Sequence, residues 1–229
     1  MEWWGVVKKH GEELIYSGAW VIAIGTVIAA VGQTKETATG SLKGARLVTQ
    51  GNVVGALGNS LQALGYTDLF MEDKEQFRVD DIIGAWLQTG GNSTIAVATE
   101  MKIHGSEEEG ARINAVGSGV LGLGAVYEAI GAAEGNSPTK NLEVTGNSLI
   151  ALGAFLDSAG NISSLNKLEA SAEILELIGI WVQVIGTFTN LIAIKTAMDI
   201  NKISQESYFD PYYNYHQVHL YEPNFNRMR

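Results

Sequence analysis

Glycine recurs at every seventh position of this chain in six separate blocks, and that spacing constrains its fold more than any other feature. Gly18, Gly25 and Gly32 make the first block, and Gly51, Gly58 and Gly65 the second. Gly117, Gly124, Gly131 and Gly146, Gly153, Gly160 are two more. A further two are degenerate: Gly84, Gly91, Ala98 and Gly179, Gly186, Ala193. Successive blocks begin 33 residues apart, with one step of 29. Longer phrases return after two steps, so that Gly18-Ala19-Trp20 becomes Gly84-Ala85-Trp86 and Gly44-Ala45-Arg46 becomes Gly110-Ala111-Arg112. A fixed period of this length marks a repeat architecture in which each copy is one structural unit.

Bulky residues fall between the glycines at alternating steps of three and four. The second block reads Leu47, Gly51, Val54, Gly58, Leu61, Gly65, and the fourth reads Ile113, Gly117, Val120, Gly124, Tyr127, Gly131. That alternation is the seam of a helix, not the period of a strand. Each glycine inside a helix costs about 0.5–1 kcal/mol relative to alanine. Two or three per helix over six helices amount to roughly 10 kcal/mol, comparable with the whole stability of a domain. Close backbone approach between helices is the compensation expected, with large residues of one helix seated over glycines of the next. The chain has 27 Gly but only 3 Pro, without the triplet period of collagen, so the glycines do not mark a string of loops.

The expected fold is therefore all-α: an antiparallel six-helix bundle of ~33-residue repeats with Gly-x6-Gly seams. Helices are expected near residues 2–33, 41–65, 76–103, 108–133, 139–160 and 167–203, in a single domain covering 1–204. Polar stretches at 34–40, 66–75, 104–109, 134–140 and 160–166 are expected to connect them.

Charge is distributed unusually. Residues 14–34, 47–67, 82–99, 113–127, 144–156 and 177–194 contain no Asp, Glu, Lys or Arg. An ordinary amphipathic helix carries charge along its whole outer face. The expected bundle thus has charged rims and an uncharged waist about one bilayer thick. Asn52, Asn59, Gln62, Gln88, Asn92, Gln183 and Asn190 fall within that waist. Placed on its surface, these amides suit lateral contact between copies, since interface cores are depleted of charge. They count against lipid, where unpaired amides are costly. Nor do Lys and Arg gather in the connections of one side.

Residues 205–229 form a tail of different composition. It carries Tyr208, Phe209, Tyr212, Tyr213, Tyr215, Tyr221 and Phe225, with Pro211 and Pro223 forbidding a continuous helix. Together with Trp3 and Trp4, these aromatics are the candidate assembly contacts, docking on a neighbouring copy or folding back on their own bundle. An interfacial membrane anchor is a third reading of the tryptophans.

The patterns of known chemistry are missing or explained otherwise. His216 and His219 lack a clear third ligand, and His10 and His104 lie at helix edges. Glu107, Glu108 and Glu109 precede a helix, where carboxylates favour the N-terminal dipole. Gly-Asn-Ser recurs at 58–60, 91–93 and 146–148, so its serine belongs to the heptad rather than to a nucleophile. Gly117-Ser118-Gly119-Val120-Leu121-Gly122 has dinucleotide-loop spacing but sits mid-helix with no preceding strand. With no cysteine there are no disulfides or thiolate sites, and no catalytic residue, cofactor or metal is expected. The net charge of −10 argues against nucleic acid. Met1-Glu2-Trp3-Trp4-Gly5 lacks the basic start and cleavage site of a secretory signal, so synthesis in the cytoplasm without a signal peptide is expected.

The phrases Gly-Asn-Ser-Leu-Gln-Ala-Leu-Gly at 58–65, Gly-Ala-Trp-Val-Ile-Ala-Ile-Gly at 18–25 and Gly-Ile-Trp-Val-Gln-Val-Ile-Gly-Thr at 179–187 resemble an uncharacterised repetitive-protein family of spore-forming bacilli. The resemblance covers roughly residues 15–200. It implies a Gram-positive, sporulation-related setting and supplies no catalytic residues. The expected role is a non-enzymatic structural protein, a homo-oligomer or polymer that self-assembles laterally into a sheet, tube or lattice. The alternatives are a membrane-embedded or membrane-active helical bundle, including a pore, and a helical module that binds a small apolar ligand.

Overall fold

The computed structural model describes residues 2–209, with side chains from 9 to 204. These residues form six helices and no strand: α1 (Glu2–Thr39), α2 (Leu42–Asp73), α3 (Phe77–Ile103), α4 (Glu107–Glu134), α5 (Lys140–Leu165) and α6 (Glu169–Phe209). The fold is an all-α bundle.

Helices α1, α2, α5 and α6 are longer than the sequence reading expects, because three expected connections lie largely inside helices. The hydroxyls of Thr34 and Thr39 bond back to the carbonyls of Ala30 and Lys35. Thr67 does the same to Ala63. Such side chains read as turn formers, yet each satisfies itself within its own helix. The true connections are tight. Gly40 (φ 61°) and Gly105 (φ 90°) turn two of them, and Lys74 (φ 58°) and Lys167 (φ 61°) hold the same left-handed conformation in two others. Helix α6 passes the expected boundary at 204 and ends at Phe209, before Pro211.

Each helix packs on the one before it and the one after it, and α6 returns to α1. The six helices thus close into a ring. Packing is densest within three antiparallel hairpins, α1–α2, α3–α4 and α5–α6, and thinnest where α6 meets α1.

Within the hairpins, seam glycine faces seam glycine. The first hairpin pairs Gly11 with Gly65, Gly18 with Gly58, Gly25 with Gly51 and Gly32 with Gly44. A step of seven up one helix is a step of seven down its partner. The second hairpin pairs Gly84 with Gly124, Gly91 with Gly117 and Ala98 with Gly110, while Gly131 lies against Phe77. The third pairs Gly146 with Gly186, Gly153 with Gly179 and Gly160 with Ala172. A Cβ added to Gly25 would lie 2.6 Å from the Gly51 carbonyl oxygen and 2.7 Å from the Gly55 nitrogen, so only glycine permits this approach. Along the seam, large residues of one helix do lie over glycines of the next, as expected. The backbones themselves meet, and the side chain four residues beyond the partner glycine lies across the contact, as Gln62 does over Gly18. Ala98 and Ala193, which replace glycine in the degenerate blocks, are fully buried. Packing is not loosened there.

A polar axis inside an apolar ring

The heptad fixes more than the seam. The residue just before a seam glycine points away from the ring, and in the waist it is usually Ile, Leu or Val. Ile24, Leu57, Leu123, Leu152 and Ile185 are examples, as is Val97 before Ala98, one from each helix and each more than half exposed to solvent. The residue just after the glycine is buried or half-buried, and in five instances it is a buried asparagine: Asn52, Asn59, Asn92, Asn147 and Asn161. The residue four beyond supplies Gln62, Gln88, Glu128, Gln183 and Asn190, all buried.

The bundle is therefore inverted relative to a soluble protein, which keeps its large apolar side chains inside. Its buried apolar residues are mostly alanine, and its largest fully buried side chains are Gln62, Asn59, Asn161 and Ser118. This corrects the sequence reading of the waist. All seven amides assigned to its surface (Asn52, Asn59, Gln62, Gln88, Asn92, Gln183 and Asn190) are turned inward. Several are hydrogen-bonded there. Asn190 donates to the Asn147 side-chain carbonyl at 2.9 Å, and Asn52 to the Val48 carbonyl at 2.9 Å. The hydroxyls left toward the outside, such as Ser93, Thr145 and Thr189, bond the carbonyl four residues back in their own helix.

Charge follows the same rule. Three of the acids that border the uncharged stretches are Glu128 on α4, Asp157 on α5 and Glu176 on α6. None is on the exposed outer face. Glu128 lies with its stem across Gly84 of α3. Asp157 accepts a hydrogen bond from Ser118 of α4. Glu176 accepts one from Gln33 of α1 at 3.2 Å. Near these last two, Lys102 of α3 reaches Asn161 of α5 at 2.7 Å. One end of the axis thus carries carboxylates from α1, α5 and α6 (Glu36, Asp157 and Glu176) around Lys102.

The other end opens into a vestibule of about 310 Å³ lined by all six helices. Glu12, Asp81, Glu128 and Glu143 line it, and Arg78 is the one lysine or arginine among the lining residues. Asp81 lies directly over Gly131. Arg78 is engaged by Asp73, outside the lining. Deeper along the axis is a small cavity of about 10 Å³, again lined from all six helices, with Asn59, Gln62, Gln88, Glu128, Thr187 and Asn190 among its walls.

Sequence reasoning found the sixteen seam glycines but overlooked Gly11, Gly44 and Gly110, which extend three blocks by one heptad toward the N-terminus. Their spacing was a usable signal. It overlooked Asp81, Glu128, Asp157 and Glu176 altogether, and the signal there was an acid breaking an otherwise uncharged helix. The proposed contacts Trp3 and Trp4 fall in the first turns of α1, and Tyr208 and Phe209 in the last turn of α6. Their side chains, and Tyr212, Tyr213, Tyr215, Tyr221, Phe225, His216 and His219 entirely, lie outside the described residues.

No curated protein matches this chain, and no solved structure does. A family model covers residues 13–191, well over half of the chain, and so the chain belongs to the family of unknown function DUF6944.

Proposed function

We propose that this protein is a membrane-embedded helical ring whose polar axis serves small polar or cationic solutes. The inversion of the bundle carries the reading: amides and carboxylates fill the inside while Ile, Leu, Val and Trp cover the outside on all six helices. In water such a surface would be a large exposed apolar patch on every side. A neighbouring copy covers one or two sides of a molecule, whereas lipid covers all of them. The amides that argued against lipid in the sequence lie inside, which removes that objection. Three helices support the reading independently. Windows in Lys9–Thr39, Glu107–Glu134 and Glu169–Ser204 reach mean hydropathies of 2.1, 1.4 and 1.8 and are long enough to cross a bilayer. The other three contribute more of the buried amides, which lowers their hydropathy without placing those groups in lipid. The acidic vestibule is poorly suited to an apolar guest.

The test is extraction and flotation. The protein should need detergent for extraction and should float with liposomes in a density gradient. Pelleting as ordered assemblies without lipid, and staying down in the gradient, would favour lateral assembly instead. A variant sharpens the outcome. Leu123→Arg places a charge in the middle of the outer belt, where in hydrocarbon it costs about 2.5–3.5 kcal/mol. It should sharply reduce membrane integration. On a water-facing surface the same change is worth under about 0.5 kcal/mol.

A further inference from the structure

Three of the asparagines that follow seam glycines are engaged by the fold. Asn52 donates to the Val48 carbonyl at 2.9 Å, Asn161 to the Asp157 carbonyl at 3.0 Å, and Asn147 accepts from Asn190 at 2.9 Å. Asn59 holds the same position after Gly58 and is only 1 % exposed, yet neither end of its amide has a partner. It forgoes even the bond to the carbonyl four residues back that Asn52 and Asn161 make. Across the axis, Oε1 of Glu128 is unmet as well, in a residue 2 % exposed. The Gln88 side chain is paired with the same carboxyl. Asn59 and Glu128 border one cavity of about 10 Å³. Buried polar groups left unmade in this way are costly, and native folds supply them with a partner.

We propose that this cavity is the binding site of a single ordered water, held between the Asn59 amide and the Glu128 carboxyl. The volume is about that of one water-sized probe, the smallest space a water occupies. The unmet atoms are one donor, Nδ2 of Asn59, and two acceptors, Oδ1 of Asn59 and Oε1 of Glu128. Water matches that set: it accepts from the amide nitrogen and donates its two hydrogens to the oxygens. Three bonds are the usual number for a buried water. Turning the amide over exchanges its ends and leaves the match intact. A bare cation fits worse, because the amide N–H group facing the space repels it. The site is not sealed. Glu128 and Asn190 border both the cavity and the vestibule, so water enters and leaves by way of the vestibule. Asn59 belongs to the first hairpin and Glu128 to the second. The water therefore bridges two hairpins where no direct side-chain bond joins these residues.

The site rests on packing inside the ring and is independent of what surrounds it, so it stands or falls apart from the membrane reading. The full chain is crystallised from sodium-free N-methylglucamine chloride. One solvent peak is expected about 2.7–3.1 Å from the Asn59 amide and from Oε1 of Glu128. An empty cavity would overturn the proposal. So would a peak that appears only when sodium is restored, since the guest would then be an ion. Oxygen-17 relaxation dispersion of water, recorded on protein in one detergent throughout, gives the count in solution. Asn59→Leu removes the donor and one acceptor in a side chain of similar size, and it should lose one long-lived water relative to the parent. Glu128→Gln keeps a hydrogen-bonding atom toward the cavity and removes only the charge, and its count should equal the parent's. An undiminished count in Asn59→Leu would place the long-lived waters elsewhere and overturn the proposal. A loss in Glu128→Gln would do so too, by showing that the guest requires the charge.

Discussion

Helices meet in two different ways in this ring. Within a hairpin they touch backbone to backbone, as Gly25 and Gly51 do. Between hairpins they are held apart by side chains: Phe155 of α5 fills the space beside Gly122 of α4, Asn92 of α3 lies beside Gly55 of α2, and Ser158 donates to the Ala115 carbonyl at 2.8 Å. The three hairpins are rigid units of fixed register. Their mutual contacts are softer, because a side chain can turn where a carbonyl cannot. The α1–α6 closure belongs to the second kind, with Ala19, Ala23 and Leu191 packed together and Trp181 donating to Thr34.

Alanine replacements separate the two kinds of contact. Every one of them gains up to about 1 kcal/mol of helix propensity, so the differences report packing alone. Gly25→Ala should be the most damaging. Its methyl would strike the backbone of α2, forcing the hairpin apart, and a loss of roughly 2–4 kcal/mol is expected in a denaturant melt. Gly122→Ala meets only the edge of the Phe155 ring, 2.7 Å from the added atom, which a side-chain rotation relieves. The expected net loss is about 1 kcal/mol. A loss equal to that of Gly25→Ala would mean that the hairpin boundary is as rigid as the seam. Gly90→Ala reverses the sign. Gly90 occupies the outward position before Gly91 and has nothing within 4 Å of an added Cβ. A gain of about 0.5–1 kcal/mol is expected. Destabilisation there would show that something covers the outer face closely enough to feel one methyl group.

The part of this architecture that could be read from the sequence is the part governed by spacing. Period seven along a helix brings Gly18, Gly25 and Gly32 onto one stripe whatever surrounds the molecule. The polarity of the two flanking stripes could not be read in the same way. Asn59 and Leu57 sit on opposite sides of Gly58, and the wheel does not say which side is the interior. Reading the amides as contacts for a neighbouring copy turned them outward, where the structure turns them in. The carboxylates were hidden for a related reason. Glu128 looks like the end of an uncharged segment, and only the packing of α4 against α3 places it inside. The connections were misjudged at Thr34, Thr39 and Thr67, because a hydroxyl bonded to its own helix looks the same in sequence as one that begins a turn.

The opposed glycines also limit how such a chain can change size. Seven residues added to α1 alone would lengthen it by about 10.5 Å and leave one new notch without a mate on α2. A matched insertion in both arms restores every pairing below it. Evolution, or an engineer, can therefore make this ring taller only in mirrored steps, much as a zipper is lengthened by adding teeth to both tapes.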